Sequence, residues 1–118
     1  MTHATRFVAV AVLIALVLCV PVQAQSPEID DLRARAEAGD AVAQNNLGFM
    51  YGTGDGVRRQ NYVQAHMWLN LTASRATGEI REDAVRNRDR VAGQMNPTQI
   101  AEAERLASEW DAAHSREP

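Results

Sequence analysis

The chain has 118 residues, 46% of them hydrophobic, with 12 basic side chains against 15 acidic ones for a net charge of −3. Every basic residue is arginine, and the mildly acidic balance excludes a general phosphate binder, so nucleic acid and anionic membrane surfaces are not expected as partners.

Residues 1–24 read as a secretory leader. Arg6 supplies the positive start, Phe7 to Val20 is unbroken and apolar, and Val22-Gln23-Ala24 offers small residues for cleavage between Ala24 and Gln25. As a helix, the apolar stretch would rise about 21 Å, short of the roughly 30 Å hydrocarbon core of a bilayer. A removed leader is therefore expected rather than a retained anchor, with no stable membrane insertion afterwards and a periplasmic or secreted location. Cys19 lies inside the stretch behind Leu18, where a lipid-modification box wants a small residue, and reads as filler. A 118-residue chain less its 24-residue leader leaves 94 residues with no cysteine, 11 arginines and 15 acids, a net charge of −4. Such an exported domain must stand on helix packing rather than disulfides.

Ser26-Pro27-Glu28 starts a first helix that runs to about Ala38: serine can cap, proline tolerates the first position, and glutamate suits the positive end of the dipole. Gly39 ends it and Asp40 caps the second, which carries Ala43, Leu47 and Tyr51 on one face. The glycines from Gly52 to Gly56 are expected to break the chain. Asn61 and Gln64 make an Asn version of the capping box for a third helix. That helix has two apolar stripes, one through Tyr62, Ala65, Trp68, Leu69, Thr72, Ala73 and Ala76, the other through Val63, Met67 and Leu71. Two stripes predict a central helix covered from two directions. A fourth helix, about Glu79 to Met95, is thinly apolar (Ile80, Ala84, Val91, Met95) and stacks Glu82, Arg86 and Arg90 at four-residue spacing. Asn96-Pro97 with Gln99 restarts the chain. The fifth helix, to about His114, gathers Ile100, Ala103, Leu106, Ala107, Trp110 and Ala113 on one arc and polar residues on the other, as a terminal capping helix requires.

Ala34 to Asp40 aligns with Ala73 to Glu79 at an offset of 39, and Ala65-x-x-Trp68 recurs as Ala107-x-x-Trp110 at an offset of 42, inside the period range of helical repeats. The series Ala36, Gly39, Ala43, Gln44, Leu47, Gly48, Tyr51, Gly54, Gly56, Val57, Ala65, Trp68, Ala73 and Gly78 resembles the Sel1-like repeat, a relative of the tetratricopeptide repeat. Asn61 stands where an Asp is common and Thr72 where an alanine is expected; both changes are mild. The resemblance implies an all-α fold, a short right-handed solenoid of helical hairpins with about five helices. Its parts would be a degenerate half repeat over 25–39, one good repeat over 40–78, and a degenerate C-terminal repeat with its capping helix over 79–118. It also implies a non-catalytic protein–protein interaction role, as an adaptor or regulator in the bacterial cell envelope. The alternatives are a structural protein that self-assembles as a homo-oligomer through its repeat ends, and a small envelope enzyme acting on cell-wall fragments.

The residues themselves point to no chemistry. Gly52-Thr53-Gly54-Asp55-Gly56 lacks both the phosphate-loop layout and the alternating acids of a calcium loop, so Gly54 and Gly56 read as turn formers. His66 and His114 do not complete a metal ligand set, and His66, at the margin of an apolar stripe, is expected to be half-buried and hydrogen-bonded. No nucleophile sits beside a recognisable base, no cofactor is implied, and the sequon Asn70-Leu71-Thr72 falls mid-helix. The binding candidates are on the second helix, where Val42, Asn45, Asn46 and Phe49 point away from Leu47 and Tyr51. By resemblance this face would line a groove, with Phe49 anchoring a protein or peptide partner and the two Asn amides holding its backbone. The competing and favoured reading packs Phe49 on the first helix beside Leu32. Arg58 and Arg59, in the loop before the third helix, are candidates for a carboxylate-bearing partner.

Overall fold

The computed structural model describes residues 26–115, which form five α-helices and, among the described residues, no strand. The leader, its cleavage point at Ala24 and Gln25, and Cys19 lie outside the described residues. Helix α1 spans Pro27–Glu37, α2 Ala41–Thr53, α3 Tyr62–Arg75, α4 Gly78–Ala92 and α5 Pro97–Ala113.

Local chemistry places most helix starts. The Ser26 hydroxyl accepts from the Ile29 N–H with Pro27 in the first turn, and Asp40 Oδ1 accepts from the Val42 and Ala43 N–H groups at 3.0 and 3.2 Å. Asn96 and Gln99 form a complete reciprocal capping box on α5. On α3 only half of the expected box is present: Asn61 Oδ1 accepts from the Gln64 N–H, without the returning bond.

Two boundaries depart from the sequence reading. Helix α2 does not break at Gly52 but runs on to Thr53 and ends at Gly54, in the left-handed conformation (φ +80°). Gly52 stays helical because tertiary packing holds it there, Val91 of α4 and Ala65 of α3 closing on the place its side chain would occupy. Helix α4 stops at Ala92 rather than Met95. Pro97 requires an extended Asn96, and the chain leaves the helix through a tighter turn in which the Gln94 and Met95 N–H groups donate to Val91 and Ala92 carbonyls.

Helix α3 is the centre of the packing, lying against α2, α4 and α5, while α2 also touches α1 and α4. Both stripes of α3 are covered: Ala65, Trp68, Leu69, Thr72 and Ala73 are buried on one side, Met67 and Leu71 on the other with Val63 partly so. Fully burying leucines such as Leu69 and Leu71 stabilises the fold by roughly 1.5–3 kcal/mol each. Helix α1 contributes Ile29, Leu32 and Ala36, and α5 contributes Ala103, Ala107 and Trp110; Ala113, assigned to the apolar arc, is exposed.

The two tryptophans related by the 42-residue offset touch, Trp110 meeting Trp68 edge-on with ring centroids 6.0 Å apart. His114 stacks on Trp110 at 3.9 Å, the Arg75 guanidinium lies 4.8 Å from the same ring, and the indole N–H donates to Glu37 Oε2 at 3.1 Å. That last bond ties the end of the final helix to the end of the first.

Candidate functional site

The site is α2. Its inward face is built of Ala43, Gln44, Leu47, Gly48 and Tyr51, all buried. Gly48 allows a close approach to α3, since a Cβ there would stand 2.7 Å from Leu69 Cγ and 3.2 Å from the Ala65 carbonyl oxygen. Gln44 donates through Nε2 to the Ala36 carbonyl at 3.1 Å, and the Tyr51 hydroxyl accepts from Arg33, so both residues fasten α2 to α1.

The outward face carries Val42 and Phe49, the two large hydrophobic side chains exposed among the described residues, at 47% and 44%. They lie seven residues apart, on one stripe of the helix. Phe49 is not buried in the core as the favoured reading expects: it keeps 44% of its surface exposed while lining, together with Leu32, the cleft between α1 and α2. Phe49 stands as a ridge between two clefts. One, of about 550 Å³, lies between α1 and α2 and is lined by Leu32, Asp31, Asn46 and Met50 among others. The other, of about 240 Å³, lies where α2, α3 and α4 meet, with Gly52, Leu69 and Val91 among its lining residues, Asn87 and Arg90 contributed by α4, and Gln94 by the turn that follows it.

The remaining candidates divide. Asn46 is exposed and lines the larger cleft, whereas Asn45 is half-buried with Oδ1 shut off from solvent and without a hydrogen-bond partner. Arg58 and Arg59 are exposed, form no ion pair among the described residues, and line neither cleft. Their loop is folded back on α2: Asn61 N–H donates to the Tyr51 carbonyl at 2.9 Å and Gln60 Nε2 to the Gly52 carbonyl at 2.7 Å. Gly54 and Gly56, at φ +80° and +73°, make that reversal possible, and Gly56 sits against Ile29 where the loop meets α1. The other residues that carry the resemblance to a repeat, Gly39, Ala65, Trp68, Gly78 and Trp110, lie in turns and core.

His66 is not half-buried and hydrogen-bonded as expected. It is 4% exposed, and its Nδ1 has no hydrogen-bond partner. Burial pushes its pKa below the ordinary histidine value and the nearby Arg88 pushes the same way, against weaker opposition from Glu104 and Asp89. No group of three or more His, Cys, Asp or Glu residues that could hold a metal ion occurs among the described residues. None of the described helices is long and apolar enough to cross a membrane. Leu71 and Thr72 of the sequon are buried in α3.

Sequence reasoning missed the contribution of α4. Arg90 read as one member of a polar row, and its place at the cleft depends on how α4 crosses α2 and α3, which the spacing does not report. The chain matches no family model, no curated protein and no solved structure.

Proposed function

We propose that this chain is a non-catalytic protein–protein interaction module of the bacterial cell envelope, exported by its first 24 residues and built as a short right-handed solenoid of Sel1-like hairpins. The α2 ridge holds a peptide segment of the partner. One observation carries the binding role: Val42 and Phe49 share a single uncovered stripe, with a cleft on either side of Phe49. These are the two large hydrophobic side chains exposed among the described residues, and the clefts beside Phe49 give a partner side chain places to enter. The stacked arrangement is supported by contacts between alternate helices, α2 with α4 and α3 with α5, and by the meeting of Trp68 with Trp110. The repeat reading rests on the spacing of small residues, aromatics and glycines between Ala36 and Gly78.

The test is affinity capture from envelope extract by the mature chain, set beside a Val42→Ala/Phe49→Ala version whose circular dichroism is unchanged. A partner recovered by the first and lost by the second is the expected result. Equal recovery by both would remove the ridge from the binding surface.

A further inference from the structure

The smaller cleft combines an apolar floor with Arg90, a cation that has no ion-pair partner among the described residues. Leu69, fully buried, lies with Val91 and the bare backbone of Gly52 beneath the ridge of Phe49. Asn87 and Arg90, three residues apart on α4, line the cleft's edge, and Gln94 adds to the lining from the turn after the helix. The neighbouring arginines are engaged: Arg86 pairs with Asp83, and Arg88 pairs with Asp89 at 3.3 Å and donates to Asn70 Oδ1 at 3.3 Å. Among the described residues Arg90 makes no ion pair, hydrogen bond or ring contact, and the side-chain amides of Asn87 and Gln94 make no hydrogen bond.

We propose that this cleft seats one aliphatic or aromatic side chain of an acidic peptide, and that Arg90, flanked by the Asn87 and Gln94 amides, takes the carboxylate of an adjacent Asp or Glu of that peptide. The proposal rests on the peptide-binding reading of α2 and gives its partner a chemistry. The cleft, at about 240 Å³, falls below the roughly 300–1,000 Å³ of small-molecule sites, so it suits a side chain rather than a cofactor. A second copy of the chain is the competing occupant, and it would reveal itself as concentration-dependent association without added peptide. The net negative charge of the chain does not repel a single carboxylate here, because charges beyond about 8–10 Å are screened at physiological salt while Arg90 is in contact.

The experiment titrates acetyl-Ala-Phe-Glu-Ala-amide into the isotopically labelled mature chain and into Arg90→Gln, following the Gly52 amide resonance. Three further probes replace Phe-Glu by Phe-Gln, replace it by Ala-Glu, or end in Phe with a free carboxylate. The Phe-Glu peptide should shift Gly52, the Phe-Gln peptide should bind about three- to fivefold more weakly, and the Ala-Glu peptide at least about tenfold more weakly. Arg90→Gln should abolish the preference for Glu over Gln without weakening the Phe-Gln complex. Equal affinity for Glu and Gln peptides, a preference that survives Arg90→Gln, or tighter binding of the free-carboxylate peptide overturns the proposal. If a captured partner depends on Val42 and Phe49 yet binds Arg90→Gln undiminished, the proposal falls and the ridge reading stands.

Discussion

Replacing Gly48 by alanine sets two effects of known size against each other. In an exposed helix the change stabilises by about 1 kcal/mol, because glycine loses more backbone entropy than alanine on ordering. At Gly48 the new Cβ would stand 2.7 Å from Leu69 Cγ, 2.9 Å from Leu69 Cδ2 and 3.2 Å from a backbone oxygen of α3. Leu69 is fully buried, and Cγ is the branch point of its side chain rather than a free tip, so neither leucine nor backbone can step aside locally. Overpacking of this kind costs about 1–3 kcal/mol, and the tightness of the contact puts it in the upper part of that range. The net expectation is a loss of about 1–2 kcal/mol, a fall of roughly 4–8 °C in melting temperature per kcal/mol for a domain of this size. Gly52→Ala is the milder comparison: its nearest contact, Val91 Cγ2 at 3.1 Å, is short by only a few tenths of an ångström, so its loss should be smaller than that of Gly48→Ala. Urea unfolding of the three proteins decides it. A Gly48→Ala protein as stable as the parent or more stable would show that α2 and α3 are not held at the described distance.

Three further outcomes follow from the packing. Phe49→Ala should cost only about 1 kcal/mol in thermal or urea unfolding, because a ring 44% exposed gives up about half of a full burial; a loss of about 3–5 kcal/mol, the cost for a core phenylalanine, would place it in the interior. Deleting residues 96–118 removes α5 and uncovers Trp68 and its neighbours on α3, so the remainder should aggregate or unfold, whereas a monomer of unchanged helicity by light scattering and circular dichroism would refute the capping role of α5. Because the His66 pKa is lowered in the folded state, the unfolded chain binds the proton first. Stability should be complete above about pH 6.5 and fall as the pH drops below it, by at most about 1.4 kcal/mol per pH unit. His66→Leu should flatten that part of the pH–stability curve, and an unaltered curve would show that His66 does not titrate with folding.

Local chemistry made the helix starts readable. Ser26, Asp40, Asn61 and Asn96 each meet their own backbone within three residues, so the cap requires nothing of the tertiary structure. The two-sided burial of α3 was readable for a related reason, since a helical wheel reports how many sides must be covered. Where the reading failed, distant residues decided. Gly52 sits in a glycine-rich stretch that favours a loop, and the packing of Val91 and Ala65 keeps it helical. His66 lies at a stripe margin on the wheel, but the packing around α3 shuts it off from solvent. Periodicity says that Phe49 is apolar and outward of Leu47; how far α1 leans over it is a property of the helix crossing.

The division of α2 into two faces also sets the scale of what it can bind. Two exposed apolar side chains make a patch smaller than the few hundred Å² typical of the largest patches on monomers, so the ridge by itself offers little binding energy. The flanking clefts change this, because a partner side chain entering one of them touches Phe49 on one side and α3 or α4 on another. Seating one such side chain is worth roughly 1.5–3 kcal/mol and an exposed charge pair at Arg90 at most about 1 kcal/mol. Against these stands the cost of immobilising a flexible segment, about 0.5–1.5 kcal/mol for each ordered side chain. A single anchor therefore supports only a weak, rapidly exchanging complex. Tighter binding requires a partner segment that straddles Phe49 and fills both clefts at once, and the ridge between them makes that geometry available to an extended chain crossing α2.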